Sequence, residues 1–294
     1  MKLGFIGLGT MGRPMSLNLL RAGYELAVFA RRSEALAPLA AAGAMACGNP
    51  REVASRAEVV FTMVTSDADV AEVVLGRDGV IEGAAPGSVV VDTSTIAAAT
   101  ARHIAACLAE RGIDMLDAPV SGGPQGAAGA ALSIMVGGKP EVLARLRPLL
   151  EVLGKTITHI GPNGAGQVAK ACNQMVMVAA IEGCAEALLL AQAAGVDARR
   201  VRAALLGGAA GSRVLDLFGE RMLQRDFAAG VEARLHHKDF GNLMQEAAGL
   251  NVPLPLMAQV RQQLVNLMAL GWGGDDTSSL LRVLEMQSRP AARS

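Results

Sequence analysis

The chain has 294 residues, 51 % of them hydrophobic and 18 % charged, and a formal net charge of +0 at pH 7. That length accommodates two domains with cores of their own. A neutral balance removes the electrostatic case for a nucleic-acid or membrane-surface partner, and 3 % aromatic residues leave little for base stacking.

The N-terminal run Lys2-Leu3-Gly4-Phe5-Ile6 reads as a short buried strand. Gly4, Gly7, Gly9 and Gly12 interrupt the apolar pattern a signal peptide needs. Gly7-Leu8-Gly9-Thr10-Met11-Gly12 follows the strand directly, and a helical pattern then runs through Met15, Leu19 and Leu20 to Gly23. This is G-x-G-x-x-G in the strand–turn–helix setting of a dinucleotide site: the glycines allow a tight turn, and the helix N-terminus faces a pyrophosphate. A second strand, Glu25 to Phe29, ends in Ala30-Arg31-Arg32-Ser33. NAD sites usually carry an acidic residue here for the ribose 2′-hydroxyl. Alanine and two arginines suit a 2′-phosphate instead, the alternative being a solvated basic turn. NADP is therefore the expected cofactor, with NAD also open.

Strands at Ala57–Val64 and Ser88–Asp92 alternate with helices over Asp69–Leu75 and Ala97–Arg111. The strand ends Met63-Val64-Thr65 and Asp92-Thr93-Ser94-Thr95-Ile96 belong on the carboxyl edge of a parallel sheet, where ligands bind. Thr95 reads equally well as a helix N-cap. Ile113–Asp117 is a further strand, running into Ala118-Pro119-Val120-Ser121-Gly122-Gly123-Pro124. Successive N–H groups in a Ser-Gly-Gly turn can hold an anion such as a carboxylate, and a purely structural Pro/Gly loop is the alternative. Leu132–Val136 reads as a strand, Pro140–Leu153 as a helix and Lys155–Ile160 as the last strand, with a boundary at Gly161-Pro162-Asn163.

Gly164-Ala165-Gly166-Gln167-Val168-Ala169-Lys170 then opens the longest helical pattern of the chain. On a helix Lys170 shares a face with Asn173 and Gln174. The apolar run behind it predicts a helix buried in a core or a subunit interface. A lysine at its head meets a desolvation cost that lowers its pKa toward that of a useful proton donor. The surface lysine at a helix start is the plain alternative. Glu182 and Glu186 interrupt the run too much for a membrane span. Helical period continues over 201–206, 214–223, 237–249, 255–270 and 278–286. Cys47, Cys107, Cys172 and Cys184 show no metal or redox spacing and read as buried thiols of a reducing, cytoplasmic setting. His236 and His237, being adjacent, share no helix face, and no metal site is expected.

Four motifs in this order, Phe5–Leu19, Asp117–Gly123, Gly164–Asn173 and Lys238-Asp239, resemble the β-hydroxyacid dehydrogenases over essentially the whole chain. The resemblance implies an α/β fold: an N-terminal Rossmann-type doubly wound sheet over 1–162 and an all-helical domain over 163–294, joined by a long interdomain helix. It also implies homo-oligomers, dimeric or tetrameric. It makes Lys170 the acid/base and has Asn173 orient the substrate. Ser121, Gly122 and Gly123 take a carboxylate, and Thr95 and Lys238 line the substrate and cofactor cleft, with Met63 and Val64 near the nicotinamide. Relatives usually carry Leu-Pro where Met63-Val64 stands, and many carry a second asparagine where Gln174 stands, so Gln174 receives no role. The implied activity is NAD(P)H-dependent reduction of a small carboxylate-bearing aldehyde. The segments Leu132–Gly138, Lys170–Gln174 and Gly219–Met222 resemble the branch acting on tartronate semialdehyde. Oxidation of 3-hydroxyisobutyrate, reduction of glyoxylate or succinic semialdehyde, and a non-catalytic dinucleotide-binding module are the rival readings.

Overall fold

The structure, a computed structural model, describes residues 1–288. It divides into two compact units, Met1–Lys170 and Ala171–Ser294.

The first unit alternates strands and helices: β1 (Leu3–Ile6), α1 (Gly12–Arg21), β2 (Leu26–Phe29), α2 (Ala37–Ala41), β3 (Met45–Ala46), α3 (Pro50–Ser55), β4 (Val59–Thr62), α4 (Asp67–Leu75), β5 (Val89–Asp92), α5 (Ala98–Ala109), β6 (Asp114–Asp117), β7 (Val120–Ser121), α6 (Gly123–Ala128), β8 (Leu132–Gly137), α7 (Pro140–Glu151) and β9 (Gly154–Gly161). The strands form one sheet in the order β3-β2-β1-β4-β5-β6-β8-β7, with β9 also on β8. From β3 to β6 all pairs are parallel, and β8 meets both β6 and β7 antiparallel. The first six strands have the order of a doubly wound dinucleotide fold. Their residues are apolar on both faces because helices cover both. Leu3, Phe5, Val59, Phe61, Val89 and Val91 enter one core layer, and Ile6, Val60 and Val90 the other, where Ile104 and Leu108 of α5 cover them; this is the period of 2 expected of strands. Phe5 stacks on Phe61 with ring centroids 5.8 Å apart.

Gly123, expected in a loop, is instead the first residue of α6. Pro124 suits the first turn of a helix, and Gly122, at φ +133°, makes the entry that an L side chain resists. Thr95 is not the cap of α5; Ala97 holds that position without a side-chain cap. The capping role has passed to Asp67, whose Oδ1 accepts from Ala97 N at 2.8 Å and from Thr100 Oγ1 at 2.9 Å.

The second unit is helical. The long helix α8 (Ala165–Ala193) continues into it, followed by α9 (Ala198–Leu206), α10 (Arg213–Gln224), α11 (Ala233–Gly249), α12 (Pro255–Ala269) and α13 (Leu280–Gln287). Among the described residues of this unit the strand-like pairing is one isolated bridge, Glu232 with Asp276. Val178, Ile181, Ala185 and Leu188 of α8 pack with Phe240, Leu243, Val260, Leu264, Leu280 and Leu281. α8 is long and apolar enough to cross a membrane by length and composition alone. It is not enclosed on all sides within the chain: its packed stripe is buried, while Val176 and Leu190 remain 74 % and 71 % exposed.

Candidate active site

The turn after β1 is shaped by its glycines. Gly7 has φ +98°, and a Cβ there would sit 2.2 Å from the Met63 carbonyl oxygen. A Cβ on Gly12 would lie 1.9 Å from the Gly7 carbonyl oxygen and 3.0 Å from the Phe5 ring. These two glycines are thus required by the protein's own packing. Gly9 is different: a Cβ there meets nothing within 4 Å, and the residue is exposed. α1 starts without a side-chain cap and with no acidic residue in its first turn. An open glycine beside an uncapped helix N-terminus fits a dinucleotide diphosphate in backbone approach and in charge. Leu8 is buried beneath the turn, and Thr10 is exposed at its surface.

The neighbouring strand ends complete this edge. Met63 N donates to the Ile6 carbonyl oxygen at 2.9 Å, and Val64 N to Ser94 Oγ at 2.9 Å. Arg31 and Arg32 follow β2 and are exposed. The Arg31 guanidinium does not stand alone, because it pairs with Asp69 at 2.9 Å.

β5 and β6 each end in a buried carboxyl, Asp92 and Asp117, to which sequence reasoning gave no role of its own. Asp92 accepts from Thr62 Oγ1 at 2.7 Å and from Ser94 N at 3.2 Å. Burial pushes its carboxyl up to about 6, against those hydrogen bonds. Asp117 caps the head of α8, accepting from Gly164 N at 2.7 Å and Gln167 N at 3.1 Å. Burial raises its carboxyl too, and the helix N–H groups oppose the rise. Gly166 allows the close approach, since a Cβ there would fall 2.4 Å from the Asp117 carbonyl oxygen and 2.5 Å from that of Met135. Gln167, nearly fully buried, accepts from Ile96 N at 3.2 Å and donates to the Ser94 carbonyl oxygen at 2.9 Å. It thereby ties the segment containing half-buried Thr95 to the helix that carries Lys170. Both ties join residues far apart in sequence, and the only local hint was the polar Gln167 beside Gly166.

Lys170 is 7 % exposed, so it is not a solvated surface lysine. Its Nζ donates to the Val120 carbonyl oxygen at 2.9 Å. Val120 directly precedes Ser121, so the ammonium lies beside the Ser121-Gly122-Gly123 turn. Gly123 has φ +63°, and a Cβ on it meets nothing within 4 Å. A cation, a hydroxyl and an open glycine turn are thus together at one strand end, an arrangement able to hold a small anion and exchange a proton with it.

The second unit brings together the remaining polar groups. Asn173 lies one turn beyond Lys170 along α8, and its Nδ2 donates to Gln174 Oε1 at 2.9 Å. Lys238, on α11, has its Nζ 3.1 Å from Asp239 Oδ1. His236 is buried, with Nδ1 2.6 Å from Thr277 Oγ1. Among the described residues no group of three or more His, Cys, Asp or Glu side chains is placed to hold a metal ion.

Residues 2–161 match the family model of the NAD binding domain of 6-phosphogluconate dehydrogenase. Residues 164–284 match that of the NAD-binding domain of NADP-dependent 3-hydroxyisobutyrate dehydrogenase. Similar relatives include the 2-hydroxy-3-oxopropionate reductase of Escherichia coli K12, 43 % identical over 98 % of this chain and 98 % of the relative. The NAD-dependent L-serine dehydrogenase of Pseudomonas aeruginosa is 41 % identical over 91 % of this chain and 92 % of the relative. Among solved structures, 3-hydroxyisobutyrate dehydrogenase of Mycobacterium tuberculosis with L-serine matches with a TM-score of 0.89 and 33 % identity, covering 96 % of this chain and 98 % of that one. The chain is thus an oxidoreductase that uses a nicotinamide dinucleotide. It belongs to the 3-hydroxyisobutyrate dehydrogenase-like family of β-hydroxyacid dehydrogenases.

Proposed function

We propose that this enzyme reduces tartronate semialdehyde (2-hydroxy-3-oxopropanoate) to glycerate, with NADPH as the preferred reductant. The observation that carries the reading is the buried Lys170 ammonium held against the Val120 carbonyl at 2.9 Å, beside the Ser121 turn. The turn Gly7-Leu8-Gly9-Thr10-Met11-Gly12 holds the cofactor diphosphate, and Arg31 and Arg32 meet its 2′-phosphate. Met63, Val64 and Thr95 border the nicotinamide, and Lys238 contributes a cation. When bound, the dihydronicotinamide supplies a hydride to the aldehyde carbon. Lys170 gives its proton to the aldehyde oxygen, which would otherwise become an alkoxide. The Ser121 hydroxyl and the N–H groups of Gly122 and Gly123 take the carboxylate. Asn173 hydrogen-bonds and orients the substrate. The chemical identity of the substrate follows the relative at 43 % identity. L-serine is the rival substrate, supported by a relative at 41 % identity.

Lys170→Ala tests the mechanism. The expected result is a folded variant whose kcat is lower by at least ~100-fold, the low end for loss of a positioned acid/base. A folded variant with near-normal kcat contradicts it.

A further inference from the structure

Asn173, Gln174, Asp239 and Lys238 form one line of polar contacts in the second unit. Asn173 Nδ2 donates to Gln174 Oε1 at 2.9 Å, and Gln174 Nε2 donates to Asp239 Oδ2 at 2.6 Å. Lys238 Nζ stands 3.1 Å from the other oxygen, Asp239 Oδ1. Gln174 and Asp239 are 4 % and 8 % exposed, so water does not compete freely for these groups.

The direction of this line follows from its end. A side-chain amide can turn either its oxygen or its NH2 toward a neighbour. A carboxylate paired with an ammonium can only accept. Asp239 therefore takes the Gln174 NH2, which leaves Gln174 Oε1 facing Asn173. That oxygen in turn takes an N–H of Asn173. The opposite side of the Asn173 amide then carries Oδ1, a pure acceptor. Turning Asn173 over would place two oxygens against each other in a partly buried setting, which costs an unsatisfied pair of acceptors.

We propose that Gln174 and Asp239 are positioning residues that fix the hydrogen-bond polarity of Asn173, so that its Oδ1 accepts from a donor on the substrate. The class of substrate selected is a short carboxylate bearing a hydroxyl on the carbon next to the carboxylate. An analogue with hydrogen or methyl at that carbon leaves Oδ1 without a partner, and a site built to bond a hydroxyl rejects such analogues strongly. The inference rests on the proposed reading of Asn173 as a substrate contact. It explains why a glutamine, with its longer reach, stands next to Asn173: its amide spans from Asn173 to Asp239.

The test measures binding rather than turnover. Calorimetry on the enzyme saturated with NADP⁺ gives Kd for glycerate and for 3-hydroxypropionate, which lacks only the C2 hydroxyl. The parent should prefer glycerate. Gln174→Met and Asp239→Asn should each cut that preference roughly tenfold, about the fold-change of one net hydrogen bond, through weaker glycerate binding. Gln174→Glu combined with Asp239→Asn moves the carboxylate one step along the line. It again presents only acceptors to Asn173, and it should restore the preference. Melting temperatures accompany each variant, and the combined variant keeps the test open if a single one fails to fold. Equal weakening of both ligands in the folded single variants, or no restoration in the folded combined variant, overturns the proposal. The substrate-contact reading fails separately: Asn173→Ala would then leave the parent's preference unchanged, and the proposal would fall with it. Loss of preference in Asn173→Ala, with preference kept in both single variants, overturns the positioning role alone.

Discussion

At Ser121 the chain offers a hydroxyl, and at Gly122 and Gly123 backbone N–H groups, with no cationic side chain inside the turn. Such donors set the direction from which a small anion is held, while Lys170 beside the turn supplies the positive charge. Ser121→Ala should therefore lower kcat/KM for carboxylate-bearing aldehydes more than for an uncharged aldehyde of the same size. An equal loss on both would mean that the serine only shapes the turn. Arg31 makes a second case. Its guanidinium is exposed and paired with Asp69 at 2.9 Å, and exposed ion pairs are worth only about 0–1 kcal/mol. A 2′-phosphate can thus take the place of Asp69 as the partner of Arg31. The parent should have the higher kcat/KM with NADPH, and Arg31→Ala should raise KM for NADPH more than for NADH. A parent that prefers NADH, or an equal effect on both, removes the phosphate contact.

At the scale of elements, α8 is held at its head and carries in its middle a buried acid, unpartnered among the described residues. The Asp117 carboxylate satisfies N–H groups of Gly164 and Gln167, as an acid at a helix N-terminus does. Asp117→Ala should lower unfolding free energy by about 2 kcal/mol, the upper end for a lost cap, measured in urea. Further along, both carboxyl oxygens of Glu182 are buried without a hydrogen-bond partner among the described residues. Burial, with Glu186 adding to it, pushes this carboxyl up to about 7 from the usual 4.5. An acid whose pKa rises on folding is compatible with the fold when protonated. Its contribution is intact below about pH 4.5 and is lost as pH rises through about 7. Glu182→Gln should therefore raise Tm relative to the parent at pH 8, and the gain should shrink toward pH 5. A pH-independent difference would show that Glu182 does not titrate in this range. Local pattern made the strand–glycine–helix start and the face shared by Lys170 and Asn173 legible in the sequence, because turn chemistry and helical period act over a few residues. The cap from Asp117 and the tie from Gln167 to Ser94 and Ile96 were not legible. Each joins groups brought together only by sheet order, and an aspartate ending a strand looks the same with or without a helix above it. Thr95 failed as a cap for the same reason, since Asp67 reaches the α5 N-terminus from another helix.

For the whole molecule, each unit has its own core and its own share of the chemistry. The first holds the glycine turn, the strand ends, the Ser121 turn and Lys170. The second holds the line from Asn173 to Lys238. Family membership and the use of a nicotinamide dinucleotide follow from both halves, since a family model matches each. The substrate follows from neither half alone, because relatives at 43 % and 41 % identity act under different names. The distinction lies at one carbon: tartronate semialdehyde bears a hydroxyl beside the carboxylate, and methylmalonate semialdehyde bears a methyl. An apolar pocket would separate the two by only ~1–3 kcal/mol, whereas a site that bonds the hydroxyl separates them far more. The most direct measurement is kcat/KM for these two semialdehydes with NADPH under identical conditions. A strong preference for tartronate semialdehyde is the expected result. Equal values, or a preference for the methyl compound, would contradict the proposed function.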